Sequence, residues 1–184
     1  MTNTVRAVAA VAELSTAIGT LVVSSTPTGI AHIDFKHRMN PFVEEGMARL
    51  FEETDRTLRD RAQAWADMAV EQIDEYFMLE RDSFDVPLDG PHGNGFRETV
   101  QRALARIPYG STITYAELAE MAGNPDAVRA AGTACATNPL PLLLPCHRVV
   151  RTDGRMGAYL GGELAKKHLL RMEAEGLVEP GTGH

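Results

Sequence analysis

Cys146 and His147 stand side by side in Pro145-Cys146-His147-Arg148-Val149, directly after the apolar run Leu140-Pro141-Leu142-Leu143-Leu144. A thiol beside an imidazole is a candidate nucleophile with a candidate base. Only the thiolate attacks, and an ordinary Cys with a pKa of about 8.5 is little ionised at neutral pH. The thiol therefore needs a base or a cation close by, and His147 and Arg148 each qualify. Taken alone, the dipeptide reads more plainly as a buried, inert Cys behaving as a small hydrophobe. If the segment is extended, neighbouring side chains point to opposite faces. His147 would then reach Cys146 only through a bridging water or a sharp turn.

The elements around this pair give it a setting. Thr114 is placed to cap a helix over Tyr115–Met121, with Glu117 at the reciprocal position of a capping box. Gly123-Asn124-Pro125 breaks that helix, and Asp126 is placed to cap a second one running through Ala127, Val128, Ala131 and Ala134. A helix, a short turn and a slim alanine-rich helix fit either an ordinary antiparallel pair or a pair that reads a DNA groove. Upstream, Phe96–Ile107 carries Val100, Leu104 and Ile107 on one helical face. Downstream, Arg151–Gly162 is too glycine-rich for regular structure and lets backbone approach a flat ligand closely. A last helix is expected over Glu163–Glu175, with Leu164, His168 or Leu169, and Met172 facing inward.

In the first half, Gly19–Ser25 and Ile30–Phe35 flank the turn chemistry of Thr26-Pro27-Thr28-Gly29 and predict a hairpin. Val43, Met47, Leu50 and Phe51, then Ala66, Ala69, Val70, Ile73 and Phe77, recur at helical spacing. Phe84–Leu88 predicts a short edge strand, since an edge tolerates Pro. Asp89–Gly95 is the best linker. The boundary is placed there, giving an N-terminal α/β domain over 1–92 and a C-terminal domain over 93–184.

The chain has 184 residues, enough to bury a core without disulfides or metal, and only two cysteines. No apolar run has the roughly 20 residues that span a bilayer, and the N-terminus does not read as a signal peptide. A membrane is not an expected partner; the cytoplasm is the expected compartment. The net charge of −7 argues against a strongly basic nucleic-acid binder. Its distribution reopens the question. Residues 1–97 hold nine basic against sixteen acidic side chains, and residues 98–184 hold nine of each. A polyanion can dock on the second half while the first faces away.

From Phe96 to Gly176 the motifs Ile107-Pro108-Tyr109-Gly110, Thr114-Tyr115, Leu118-Ala119, Ala122-Gly123-Asn124-Pro125, Arg129-Ala130, Asn138-Pro139, the Cys146 pentapeptide, Tyr159 and Gly161-Gly162 follow in order. In this order and spacing the chain resembles the O6-alkylguanine-DNA alkyltransferases. A weaker likeness over Ser15–Leu88 rests on Ala17–Leu21 and Gln72–Phe77. The resemblance implies a small antiparallel sheet with helices, ribonuclease H-like, followed by a mainly α half with a helix-turn-helix.

It also implies roles for single residues. Cys146 accepts the alkyl group as a thiolate, generated through a water held by His147; Glu173, which on its own reads as a solvated helix charge, orients that His. Tyr115 hydrogen-bonds or protonates the leaving guanine. Arg129 enters the duplex and fills the gap left by the flipped nucleotide. Ala127 and Ala130 flank it on the DNA face, while Asn138 fixes the turn into the active-site segment. Val149, Tyr159 and Pro141 match pocket positions, and Arg148 looks structural, its guanidinium available to backbone carbonyls. Where some relatives have Ser after the pocket Tyr and Met-Arg before the turn, this chain has Leu160 and Cys135-Ala136. The first half has no Cys, so the zinc site of some relatives is not expected, nor is any cofactor.

The expected partner is double-stranded DNA carrying O6-alkylguanine, with O4-alkylthymine a further candidate, bound by a monomer. Two other readings stay open. One is an alkyltransferase-like lesion sensor, although such relatives replace the Cys; the other is a Cys-His hydrolase, for which no oxyanion hole is legible.

Overall fold

The computed structural model describes residues 8–39 and 55–176. The chain divides into two compact units, Met1–Gly90 and Pro91–His184. Within the first, β1 (Ala10–Thr16), β2 (Gly19–Thr26) and β3 (Gly29–Phe35) form an antiparallel meander in the order β1-β2-β3. The register runs from Thr16↔Gly19 to Ala10↔Ser25 on one side of β2 and from Thr26↔Gly29 to Leu21↔Phe35 on the other, with an irregularity at Ser24/Ser25. The expected hairpin is β2–β3. β1 went unpredicted because two alanines in Ala10-Val11-Ala12 carry little strand preference.

Helix α1 (Arg56–Phe77) packs on this sheet, its first turn capped by Asp55, whose carboxylate accepts from the Thr57 N–H. Its inward face carries Ala62, Ala66, Ala69 and Ile73, and the small alanines allow a close approach. The Ser25 hydroxyl donates to the Ala62 carbonyl at 2.7 Å, across that interface. The helical spacing at Val43–Phe51 lies outside the described residues.

The edge strand expected over Phe84–Leu88 reduces to a single parallel bridge between Leu88 and Ile30. Ile30 N–H donates to Pro87 O and Asp89 N–H to Ile30 O, both at 2.8 Å. Pro87 itself has no N–H to extend a ladder. Gly29 makes this contact possible: a Cβ there would lie 2.4 Å from the Pro87 oxygen.

The second unit is mainly helical: α2 (Phe96–Leu104), α3 (Tyr115–Met121), α4 (Val128–Ala136) and α5 (Gly162–Gly176). The first three pack on one another. The capping box forms as expected, Thr114 Oγ1 accepting from Glu117 N–H at 3.2 Å and Glu117 Oε2 from Thr114 N–H at 2.6 Å. Asp126, by contrast, does not cap α4. The N-cap is Ala127 without a side-chain bond, because a turn closed from Ala127 N–H to Asn124 O carries the chain past Asp126 before the helix starts. Buried Gln101 donates to the carbonyls of Ala134 and Thr137, both at 3.2 Å, which satisfies the end of α4.

A two-stranded parallel pair, β4 (Ile113–Thr114) and β5 (Val149–Val150), ties the start of α3 to the Cys146 segment. In α5 the inward residues are Ala165, Lys166, Leu169, Met172 and Glu173. Leu164 is 83% exposed and His168 is exposed. Leu169 and Met172 thus face inward as expected, while Leu164 and His168 do not, because two charged side chains occupy the rest of the buried face. Among the described residues no helix is long and apolar enough to cross a membrane.

Removal of the cap, Thr114→Ala, is expected to lower stability by about 1 kcal/mol. The measurement is the urea midpoint; an unchanged midpoint would show that the box contributes nothing in this context.

Candidate active site

The Cys146 segment is not extended. Cys146–Arg148 form one turn of 3-10 helix between Pro145 and β5. This sharp turn places Cys146, His147 and Arg148 together in the interior, with Cys146 3% and His147 0% exposed. Two features set it up. Buried Asn138 donates to Leu144 O at 2.7 Å and accepts from Leu140 N–H at 3.1 Å, bracketing the apolar run. Leu142 within that run has φ of +75°, a left-handed conformation that a branched side chain adopts at a cost.

Glu173 on α5 is the hub. Its carboxylate, 0% exposed, meets His147 Nε2 at 2.7 Å, accepts from Arg148 Nε at 3.0 Å and Nη2 at 3.0 Å, and accepts from Gly110 N–H at 3.0 Å. It is thus far from a solvated helix charge. Arg148 spends its remaining reach on Ile107 O, at 2.7 Å, and lies 5.6 Å from the Tyr109 ring centre. A carboxylate facing a guanidinium only accepts hydrogen bonds, so His147 must present Nε2–H to it. Nδ1 is then the basic nitrogen, and it has no hydrogen-bond partner among the described residues. Burial lowers the His147 pKa, more than Glu173 raises it, so the ring is neutral around pH 7.

Lys166, which the sequence reading missed, is the cation of the site. Its side chain is buried, with Nζ donating to Val149 O and lying 5.9 Å from the Tyr115 ring centre. Burial lowers its pKa, and the charges of Cys146 and Cys135 act against that. For Cys146 itself, burial raises the pKa, opposed by the Asn138 hydrogen bond and by the Lys166 charge. The signal for Lys166 was its spacing. Lys166 and Glu173 are seven residues apart, two helical turns, on the face of Ala165, Leu169 and Met172.

Tyr115 packs its ring against Gly132 of α4 and its hydroxyl against Gly157. Burial pushes its pKa up to about 12, so it is a hydrogen-bond donor at neutral pH. Gly157 has φ of +68°, and a Cβ there would lie 2.5 Å from the Tyr115 oxygen. Tyr159 is buried with its ring edge-on to His147, 6.2 Å between centres, while Pro141 and Val149 are buried beside the thiol's own turn. Arg129 and Ala130 are exposed and Ala127 half-buried, all at the start of α4 and away from this cluster in burial. Cys135 is buried on α4, its thiol pushed up to about 12 by burial.

Residues 95–175 match the family model described as 6-O-methylguanine DNA methyltransferase, DNA binding domain. Over 165 residues the chain is 34% identical to a methylated-DNA–protein-cysteine methyltransferase of Methanosarcina barkeri, covering 87% of this chain and 94% of that one. It belongs to the O6-methylguanine DNA methyltransferase family. Its fold is that of the Mycobacterium tuberculosis O6-methylguanine methyltransferase, with a TM-score of 0.75 at 30% identity over 90% of this chain and 92% of the other. The same organism's OGT, crystallised in complex with DNA, superposes with a TM-score of 0.71 at 32% identity, covering 89% and 92%. The N-terminal three-stranded sheet with its helix and the mostly helical C-terminal unit are therefore family architecture.

Two outcomes follow for the buried cluster. Glu173→Ala leaves Arg148 and His147 buried without their acceptor and is expected to cost about 3–5 kcal/mol in chemical denaturation. Because folding lowers the His147 pKa, the unfolded chain binds the extra proton first as pH falls below about 6.5, and native stability declines there. Urea midpoints across that range should decline more steeply for the unsubstituted chain than for His147→Gln; parallel curves would remove His147 from the account.

Proposed function

We propose that this chain is a methylated-DNA–protein-cysteine methyltransferase that repairs O6-methylguanine by moving the alkyl group irreversibly onto Cys146. The observation that carries this reading is that His147, in the same tight turn as the buried thiol, is paired with the buried carboxylate of Glu173 on α5. Glu173 fixes the imidazole with Nδ1 as its base. A water between Nδ1 and Sγ passes the thiol proton to His147, and Lys166 and the Asn138 amide stabilise the thiolate. The sulfur attacks the alkyl carbon, an S–C bond forms, and the bond from that carbon to guanine O6 breaks. The departing base keeps the electron pair, is hydrogen-bonded by the Tyr115 hydroxyl, and takes up one proton as it becomes guanine. No step needs a cofactor. Nothing in the site removes an alkyl group from a thioether, so each molecule acts once.

The partner in this reading is double-stranded DNA with O6-alkylguanine, bound by a monomer. We read α3, its turn and α4 as a helix-turn-helix, with exposed Arg129 entering the duplex between Ala127 and Ala130. The buried target atom requires the nucleotide to leave the stack, at a few kcal/mol, and an inserted guanidinium offsets part of that. Val149, Tyr159 and Pro141 wall the base pocket, while Asn138 and Arg148 hold its backbone. The three-stranded sheet with α1 reads as a ribonuclease H-like unit.

Incubated with duplex DNA containing O6-methylguanine, the intact chain is expected to gain the mass of one methyl group, located on Cys146, with unmodified guanine restored. Cys146→Ala should bind the same duplex without any gain. An unchanged mass with tight binding of the natural chain would instead identify a lesion sensor. The transfer rate should hold from neutral pH down through about 6.5, since burial keeps His147 neutral there, and fall only at lower pH. A rate that tracks an ordinary imidazole titration would contradict the assignment of His147 as buried base. Gly157→Ala should slow transfer strongly, because the methyl group displaces the Tyr115 hydroxyl.

A further inference from the structure

A cavity of about 460 Å³ lies under the loop that follows β5, lined in part by Arg151, Arg155, Met156, Gly157, Glu163 and Lys167. The mechanism above uses none of its charges. Three cations face one lining carboxylate, and the volume suits a nucleotide-sized group. The cations differ in what already occupies them. Lys167 pairs with Glu163 at 2.6 Å, and Arg155 Nε donates to Asp153 at 2.7 Å. Arg151 makes no side-chain hydrogen bond or ion pair among the described residues, although its charge acts on Asp153 and on Tyr115.

The loop is built rather than loose. Arg151 N–H donates to Arg155 O and Gly154 N–H to Arg151 O, both at 2.9 Å, with Gly154 at φ of +79° closing the turn. Arg155 N–H bonds Asp153 Oδ1 at 3.1 Å. Both arginines are thus presented by a hydrogen-bonded backbone, which reduces the ordering cost of binding an anion. The first turn of α5 supplies Glu163 at the wall, where the helix dipole also favours negative charge.

Gly157 links this cavity to the base pocket, because it lines the cavity and touches the Tyr115 hydroxyl. We infer that the cavity is a phosphodiester site for the DNA strand whose nucleotide is flipped toward Cys146. The inference rests on the DNA-repair reading and adds its anchoring contact. A planar guanidinium matches a phosphate in a bidentate fashion, and Arg151 is the uncommitted one. Lys167 is shared: Glu163 competes with the phosphate for it and weakens the site.

The test uses the full chain with duplex DNA carrying O6-methylguanine, titrated at several salt concentrations, alongside transfer from the same DNA and from free O6-methylguanine base. Arg151→Ala with Lys167→Ala is expected to weaken DNA binding about tenfold near 0.1 M salt and to reduce the slope of log K against log salt by about 0.9 for the lost phosphate. The loss of transfer from DNA should exceed any change on the free base by about tenfold. Arg151→Lys should keep the salt slope, and Glu163→Gln, which frees Lys167, should tighten binding. An unaltered affinity and slope in the double variant would overturn the inference. So would equal losses on DNA and free base, which would mean a disturbed base pocket. If the natural chain transfers from neither substrate, the repair reading itself fails, and the salt slopes still decide whether the cavity holds a phosphate.

Discussion

One buried carboxylate organises the second unit. Glu173 joins α5 to the Gly110 turn and to His147 and Arg148 of the Cys146 turn, and Arg148 extends the link to Ile107 at the end of the α2 segment. A lone carboxylate at this depth would pay several kcal/mol of desolvation. Here the guanidinium, a backbone N–H and the imidazole N–H all meet it, so the penalty is offset by charge-assisted bonds. The same bonds choose the imidazole tautomer. Structure and reactivity therefore share one interaction: the network that holds three segments together also turns Nδ1 into the free base.

Burial poses a second problem, since the group that must ionise is the one most disfavoured from doing so. Desolvation raises the Cys146 pKa, and His147 stays neutral and so offers no positive charge to the thiol. Lys166 resolves part of this. Its ammonium is held by a carbonyl rather than by a carboxylate, which leaves its field available to the two thiols. A carboxylate partner would quench that field. The consequence is a thiol that is quiet in the resting protein and gains its proton acceptor from the same turn of chain, a suitable state for a group that can react only once.

How much of this the sequence disclosed depends on whether the signal was local. The capping box at Thr114–Glu117, the β2–β3 hairpin and the alanine face of α1 follow from short-range spacing, and all three formed. The Cys-His pair is visible as a candidate nucleophile and base in the residues themselves, whereas its role as alkyl acceptor and the part of Glu173 come from family likeness. The geometry that joins them, a 3-10 turn and a carboxylate shared by three residues, depends on residues 26 apart and leaves no local trace. In α5 apolar spacing places Leu169 and Met172 inward as found, but it also turns Leu164 inward, and that residue is exposed because buried Lys166 and Glu173 share the inner face. Asp126 shows the same limit on a smaller scale, since a competing turn at Asn124–Ala127 displaced the start of α4.

Tyr115 shows how backbone alone can set a reactive atom. Its position is fixed at its own N-terminal side by the capping box and by the parallel pairing of Thr114 with Val150, so it cannot slide along α3. Its ring lies beside Gly132, where a Cβ would make ordinary contact at 3.9 Å, and its hydroxyl against Gly157, where a Cβ would overlap it at 2.5 Å. With the Cα held by the first constraint, the hydroxyl's position depends on the close approach of the backbone at Gly157. The 151–157 loop is itself closed by hydrogen bonds from Arg151 N–H to Arg155 O and from Gly154 N–H to Arg151 O. Whatever engages those arginines is thereby coupled to the hydroxyl that meets the leaving base, through a single residue without a side chain.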